Sequence, residues 1–364
     1  MKYDNMKNLI EENFKKMSMM PVEEYTLYRK WEEINLKKWS NKDLNKIWEI
    51  KNSLWIPENY DDYLKLEPEV IQASTPITNK IWTILRIFSS TLYWNASPGR
   101  LLRFYIQDKI TKKYLGVISV GSDFISLGGR DNYIGWTIKQ RLEEKMLKHT
   151  AMGSSIVPTQ PLGYNYVGGK LIALLTASNV VENAWDKRYG DKLVSISTTS
   201  IYGGLSQYNR LKYWRKCKST EGKIPLEPSD NVYKEIRKWI NKNYLKQVKE
   251  LQTKSHPKTR LLQFVYKQLK VKPPINNFSR GVYFCGLFND TNKFLSKKVD
   301  NPGERKFDNS VESLTELWKE RYAKKRIENV IKTNRQNKDI LFYDDMIGIS
   351  WDKAKEIYLK DVGR

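Results

Sequence analysis

Two cysteines and two histidines in 364 residues leave little room for thiol or metal chemistry. Cys217 and Cys285 stand far apart, with no CxxC spacing and no neighbouring histidine, so neither a structural zinc site nor a disulfide framework is expected. His149 (LKHTA) and His256 (KSHPK) sit among charges and read as solvated surface residues. No metal is expected, and catalysis would fall to tyrosine, serine or threonine, carboxylates, cations or backbone groups. No run of eighteen apolar residues exists, so no transmembrane helix is expected and no membrane partner. The opening MKYDNMKNLIEENF is too charged for a signal peptide, which predicts a cytoplasmic protein of a bacterial host cell. The abundance of Lys, Asn, Ile and Tyr fits an AT-rich coding sequence of a phage or bacterium. Acidic residues are the remaining shortage: 41 against 64 basic ones, a net charge of +23.

What is present can build a large core, since 40% of the chain is hydrophobic and 12% aromatic. The positive excess is local. Residues 1–80 hold 13 basic and 14 acidic side chains, whereas 205–275 hold 18 and five. Aromatics interleave with those cations: Tyr208, Tyr213, Trp214, Tyr233, Trp239 and Tyr244. Cations for phosphates and flat side chains for bases suit a nucleic-acid surface. DNA is the expected partner, and RNA suits such a surface as readily. The candidate contacts are Arg210, Lys212, Arg215 and Lys216, with Arg237, Lys238 and Lys242 further on. The alternative is that the aromatics face the core while lysine covers a solvated side.

Along the chain, residues 1–80 form a helical segment, with Ser40 and Asp43 as an N-cap signal and Pro57–Pro76 as a linker. Residues 81–220 form a mixed core: a helix over 81–93, then a hairpin of strands 101–108 and 114–120. A helix over 137–150 follows, then a strand at 154–161, a glycine-containing turn at 162–169 and a helix over 170–188. A strand at 192–199 and a helix over 205–216 close the core. Residues 221–364 are mainly helical and basic (230–253, 257–270, 310–333, 351–360), with one strand at 280–288. The expected class is α+β.

The order from 81 to 216, with the hairpin RFYIQDKITKKYLGVISV, the stretch IVPTQPLGYNYVGGKLIALL and the pair ISTTS and LSQYNRLKYWRK, resembles the GNAT acetyltransferase family. That resemblance implies a GNAT-like mixed-sheet core flanked by helical segments. It also implies an acyl-CoA, or another acyl or aminoacyl donor, held by Ile156, Val157, Gly163, Val167, Gly168, Gly169 and Lys170. Glycine in a turn lets backbone N–H groups approach an anion, and the helix that follows directs its positive end to the same point. By the same likeness Tyr213, or failing it Tyr208, would protonate a departing thiolate, with Thr199 beside them. The turn here is Gly163-Tyr-Asn-Tyr-Val-Gly168-Gly169, with Gln160 three residues before it, which departs from the family's usual Arg/Gln and G-x-G/A pattern. The glycines could equally just close a tight turn.

A more local resemblance rests on RDNYIGWTIKQR (130–141), RYG (188–190), Thr198-Thr199 and YNRLKYW…STEGK (208–223). Together these resemble the DruA family of the Druantia anti-phage defence system, over roughly residues 100–225. Basicity joined to a GNAT-like core also gives an analogy to the phage Mom DNA-modification proteins. Three functions compete: a GNAT-like transferase acting on DNA, a non-catalytic DNA-binding defence component, and a nickase using Asp61-Asp62 or Asp344-Asp345. Arg130 and Asp131 read as a structural ion pair around Ile134-Gly135-Trp136, or as a substrate contact.

Overall fold

The computed structural model describes residues 3–59, 61–94, 99–163, 167–201, 206–220, 224–253, 257–276 and 279–359. The middle of the glycine turn (164–166), His256 and part of the STEGK motif (221–223) lie outside the described residues.

Three helices come first, α1 (Tyr3–Ser18), α2 (Val22–Asn35) and α3 (Asn41–Asn52), the last started by a Ser40–Asp43 capping box. The proline-marked stretch expected as a linker holds a short helix, α4 (Asp62–Lys65), and the first strand, β1 (Pro68–Gln72). Pro68 opens a strand at the sheet edge, where a missing N–H is tolerated. Helix α5 (Pro76–Ser89) begins earlier than expected because Pro76 takes the first helical position behind a Thr75–Thr78 capping box. The hairpin follows as β2 (Leu101–Asp108) and β3 (Tyr114–Ser122), then α6 (Gly128–Ile134) and α7 (Ile138–Leu142). The helix expected over 137–150 stops short: Lys145 is left-handed at φ 59°, and β4 (Thr150–Pro158) has begun by its expected end.

The helix expected over 170–188 is two, α8 (Gly168–Leu175) and α9 (Asn179–Tyr189). Asn309 enters the break, donating from Nδ2 to the Ala177 carbonyl at 3.2 Å and accepting the Asn179 amide at 2.8 Å. After β5 (Ser195–Ser200) no helix spans 205–216. Residues 206–213 turn instead, with Arg210 and Tyr213 at φ 56° and 73°, and β6 (Trp214–Lys216) follows. Tyr208 packs between Trp214 and Tyr283, a tertiary gain that overrides the helical period of this segment. Next come β7 (Ile224–Pro225), α10 (Asp230–Asn243), α11 (Leu245–Gln252), α12 (Pro257–Leu269), β8 (Ile275–Asn276) and β9 (Gly281–Gly286). The chain continues through α13 (Thr291–Leu295), α14 (Val311–Trp318), a π-helical turn at Lys319–Ala323, α15 (Lys324–Lys332) and α16 (Trp351–Tyr358).

Seven strands form one mixed sheet in the order β1-β2-β3-β4-β5-β9-β6, in which β4 and β5 are parallel and the other pairs antiparallel. The protein is therefore mixed α+β, and its sheet draws strands from all three expected segments. Alternation along the strands divides two cores. Phe104 and Ile118 face α8, α9 and α14 with Leu171, Trp185 and Trp318. Tyr105 and Val117 face α5 with Trp82 and Phe88. A third apolar cluster joins α1 to α10 and α12 through Ile10, Phe14, Ile236 and Leu262.

Candidate functional site at the β4–β5 seam

The parallel pair is short. β4 and β5 match only over Thr150–Met152 and Ser195–Ser197. On the other side of β4 the register with β3 shifts between Ser119 and Val120, which leaves Ser154 as an extra residue. The bulge turns Ser154 Oγ onto Ser119 Oγ at 2.8 Å. Beyond it the strands part and open a cleft of about 410 Å³. Ile156 and Val157 line it from β4, Thr198 and Thr199 from β5, and Gly163 and Gly169 at the turn into α8.

The end of α5 lines the same cleft with two residues that the sequence reading missed. Arg86 is 3% exposed and, among the described residues, hydrogen-bonds neutral acceptors: Ser155 Oγ at 2.8 Å, the Leu92 carbonyl at 2.9 Å and the Tyr93 carbonyl at 3.5 Å. Burial lowers its pKa to about 10, with Glu33 working in the opposite direction. Ser89 Oγ beside it and Gln160 Oε1 across the cleft are buried with no hydrogen-bond partner among the described residues. The signal for Arg86 was a single cation in the last turn of an otherwise apolar helix face (IWTILRIF).

The expected donor residues divide. Val167 is buried as the residue before α8, and the Gly168 amide is already bonded to the Leu162 carbonyl at 2.9 Å. A Cβ on Gly168 would lie 2.6 Å from that same carbonyl oxygen, so Gly168 is there for packing. A Cβ on Gly169 would meet the Gln207 side chain at 2.5 Å, and Gln207 Nε2 also donates to the Ile156 carbonyl at 3.0 Å. Gln207 thus bridges the cleft from the turn to β4. Lys170 points away from this bridge, donating to the Gln207 and Asn209 carbonyls at 3.1 and 2.7 Å. Burial lowers its pKa to about 8.

The two candidate tyrosines also divide. Tyr208 lines the cleft, buried, and burial raises its pKa to about 12 although Thr198 and Gln207 side chains hydrogen-bond it. Tyr213 does not reach the cleft. Its ring stacks on Phe307 with centroids 3.7 Å apart and planes 9° apart, and it lines a separate hollow with Tyr133 and Arg215.

The expected nucleic-acid contacts fall on different surfaces. Arg210 and Lys212 are exposed on the turn before β6, with the Lys212 amide donating to Tyr322 Oη at 2.7 Å. Arg215 and Lys216 are exposed on β6, the Arg215 guanidinium 4.7 Å from the Tyr133 ring centre. Arg237, Lys238 and Lys242 lie on α10, whose buried face belongs to the cluster with α1 and α12. Lys238 is paired with Glu235 at 2.6 Å.

Arg130 is fully buried, hydrogen-bonded to Asp131 at 2.7 Å and ion-paired with Asp123 at 2.5 Å, while Asp131 also takes Trp136 Nε1 at 3.0 Å and a close pair with Arg141. Burial pushes the Asp131 carboxyl up, but the Arg130 charge and the bonds from Trp136 and the Leu127 amide outweigh it and hold its pKa below the ordinary value. The RDNYIGW motif therefore ties a turn together. Asp344 is engaged by Lys51 at 2.8 Å, and Asp62 caps the Glu58 and Asn59 amides at 3.0 Å. Among the described residues, no group of three His, Cys, Asp or Glu side chains is gathered to hold a metal. No described helix is long and apolar enough to cross a membrane. His149 is half-buried against Phe294, its Nδ1 2.9 Å from the Lys192 carbonyl, rather than solvated.

A mixed seven-stranded sheet with a hydroxyl-lined seam cleft and cationic surfaces around it defines the class. The chain belongs to the DruA family, whose model, described as Druantia protein DruA, matches residues 23–297. A Druantia protein DruA of Escherichia coli (strain UMEA 4076-1) is 31% identical over 159 residues, covering 39% of this chain. The alignment spans 39% of that relative's length. No solved structure matches the chain.

Proposed function

We propose that this DruA-family protein is an anti-phage defence component that acts on nucleic acid, with the β4–β5 cleft as the seat of a GNAT-like group transfer. The observation that carries this reading is the seam: a parallel pair that parts at a bulge, next to a glycine turn and the start of a helix. The strand order, with β9 inserted between β5 and β6, also agrees with a GNAT-like core.

The residues present fit an acyl-thioester donor. The cleft lies where two strands part, and the orphaned Gln160 Oε1 and Ser89 Oγ offer bonds to its amide arm. Val157 and Ile156 would flank the arm, and Gly169 would lie against it once Gln207 swings aside. Such a donor supplies an activated carbonyl. The chain's own part is to exclude water, to orient the arm and to hold a proton. Tyr208 remains protonated far above neutrality, so its hydroxyl can donate to the sulfur that leaves. Thr199, half-buried on the same wall, would position the acceptor.

A second reading is favoured by Gln207. It already bonds the Ile156 carbonyl and covers Gly169, which suits a closed cleft in a binding protein without catalysis. Mass spectrometry of nucleosides from DNA and RNA co-expressed with the protein separates the two. A new nucleoside that disappears with Tyr208→Phe supports transfer. An unmodified nucleoside pool together with no coenzyme A binding by calorimetry leaves the binding protein.

A further inference from the structure

Beside the cleft lies a second concavity that combines parts of the chain more than a hundred residues apart. Lys170 from the first turn of α8 and Arg210 from the turn before β6 form one wall. The other wall is the helix running through the π turn into α15, with Arg321, Tyr322 and Lys325. The hollow measures about 530 Å³ and adjoins one of about 470 Å³ that shares Lys170, Arg321, Tyr322 and Lys325 and reaches Arg326 and Asn329. Among the described residues, no carboxylate lines either part.

Tyr322 holds the two walls together. Its hydroxyl accepts the Lys212 amide at 2.7 Å and donates to the Arg210 carbonyl at 3.3 Å, which fixes the left-handed turn at Arg210. Its ring lies 5.1 Å from the Lys170 ammonium and 5.9 Å from the Arg321 guanidinium. Lys170 is anchored on two carbonyls, no carboxylate lines the hollow beside it among the described residues, and burial lowers its pKa. The π turn adds one residue to the helix just where Arg321 and Tyr322 meet Lys170 and the turn at Arg210, a common mark of a functional position in a helix.

Gathering like charges on two separate elements costs electrostatic energy, and an anion is what would offset it. A merely solvated lysine face would need neither the facing wall nor the Tyr322 clamp. The shape favours a polymer over a single small anion. From Arg321 to Asn329 the helix extends roughly 12 Å at about 1.5 Å per residue. Successive phosphates of one strand rise about 3.4 Å along a duplex. The hollow adjoins the cleft through the neighbours Gly169 and Lys170, so a strand held in it would deliver a base to the cleft mouth.

We propose that the notch between Lys170, Arg210 and the Arg321–Lys325 helix face grips the phosphate backbone of the nucleic acid on which this protein acts. The proposal rests on the reading that the substrate is nucleic acid, and it adds the surface that holds it. This surface differs from the α10 cations that composition singles out.

The test uses the full chain and a labelled oligonucleotide, single-stranded and duplex, with binding followed by fluorescence anisotropy from about 50 to about 200 mM salt. The exposed pair is replaced in Arg321→Gln/Lys325→Gln, and Lys238→Gln/Lys242→Gln on α10 serves as control. Circular dichroism confirms that each variant is folded. The notch variant should bind duplex about tenfold more weakly, with a salt slope shallower by about 1.8, the loss of two phosphate contacts. The control should stay within about twofold of the unsubstituted protein. Unchanged affinity and slope in the notch variant, or an equal loss in the α10 control, overturns the proposal. So does a notch variant that loses coenzyme A or pyrophosphate binding while its oligonucleotide binding is intact, since the notch would then serve a small anion. Oligonucleotide binding through the notch with no modified nucleoside supports the notch and removes only the transferase.

Discussion

Thr198 Oγ1 donates to the carbonyl of Gly153 at 2.8 Å, closing the parallel seam at the point where β4 and β5 begin to part. Both residues are buried, so no water replaces the bond if it is lost. Thr198→Val keeps the shape and removes the donor, leaving a buried carbonyl unsatisfied. The expected cost is about 1–3 kcal/mol, read from urea denaturation midpoints. An unchanged midpoint would show that the seam closes without this bond.

Tyr208 and Tyr213 are five residues apart and do different work. Tyr208 lines the cleft with its proton held by burial, whereas Tyr213 is stacked on Phe307. Under the transferase reading, Tyr208→Phe lowers the yield of modified nucleoside by about 100-fold or more and Tyr213→Phe leaves it intact. Nucleoside mass spectrometry after matched expression reads both. Loss with Tyr213→Phe alone would place the chemistry outside the cleft.

Much of this architecture was legible in the residues, and the misses have physical causes. The β2–β3 hairpin shows because apolar residues crowd two short runs around a polar link. The segment LSQYNRLKYWRK has a helical period, yet Arg210 and Tyr213 adopt left-handed backbone so that Tyr208 can pack on Trp214 and Tyr283. That choice is made by tertiary contacts, which one sequence does not display. β1 hides among prolines, and β9, legible as a strand, enters the sheet between β5 and the edge strand β6 from a largely helical region. The motif at 130–141 was legible through its resemblance to the DruA family, and its Arg130, Asp131, Trp136 and Arg141 meet in one buried network. Arg321 and Lys325 lay in a stretch correctly expected to be helical, but nothing local showed that this face meets Lys170 and Arg210.

The two adjacent glycines of α8 separate packing from binding. A Cβ on Gly168 presses on the Leu162 backbone, which cannot yield cheaply, while one on Gly169 meets the Gln207 side chain, most closely at its flexible end. Gly168→Ala should therefore destabilise the protein by about 1–3 kcal/mol, the usual cost of overpacking. Gly169→Ala should change thermal stability little but weaken coenzyme A binding if the donor lies there. Equal destabilisation by both would mean that Gln207 is fixed rather than displaceable.

Arg130 answers two buried carboxylates, Asp123 and Asp131. Arg130→Met matches its volume roughly but leaves both carboxylates short of a partner. Breaking one side of a buried ionic network costs about 3–5 kcal/mol. A calorimetric melt should show that loss without any direct effect at the cleft. A variant with an unshifted melt and abolished nucleic-acid binding would restore the alternative in which Arg130 contacts substrate.

The pH dependence of stability follows from Lys30, fully buried on α2 and bonded to Glu33 at 2.8 Å. Burial lowers its pKa to about 8, with Glu33 working in the opposite direction. The folded value lies below the unfolded one, so between about pH 8 and the ordinary lysine range near 10.4 the unfolded chain holds more protons. Stability then rises with pH across that window, by up to roughly 1 kcal/mol per pH unit from this group. Lys170, lowered in the same direction, adds a smaller rise because it is less buried. Above about pH 10 the sign reverses. Tyr28 and Tyr208, both raised to about 12 by burial, keep their protons folded and lose them unfolded. Urea midpoints should climb from pH 8, peak near pH 10 and then fall, and Lys30→Met should flatten the climb. A rise of the same slope in Lys30→Met would assign the dependence to relief of the general positive charge instead.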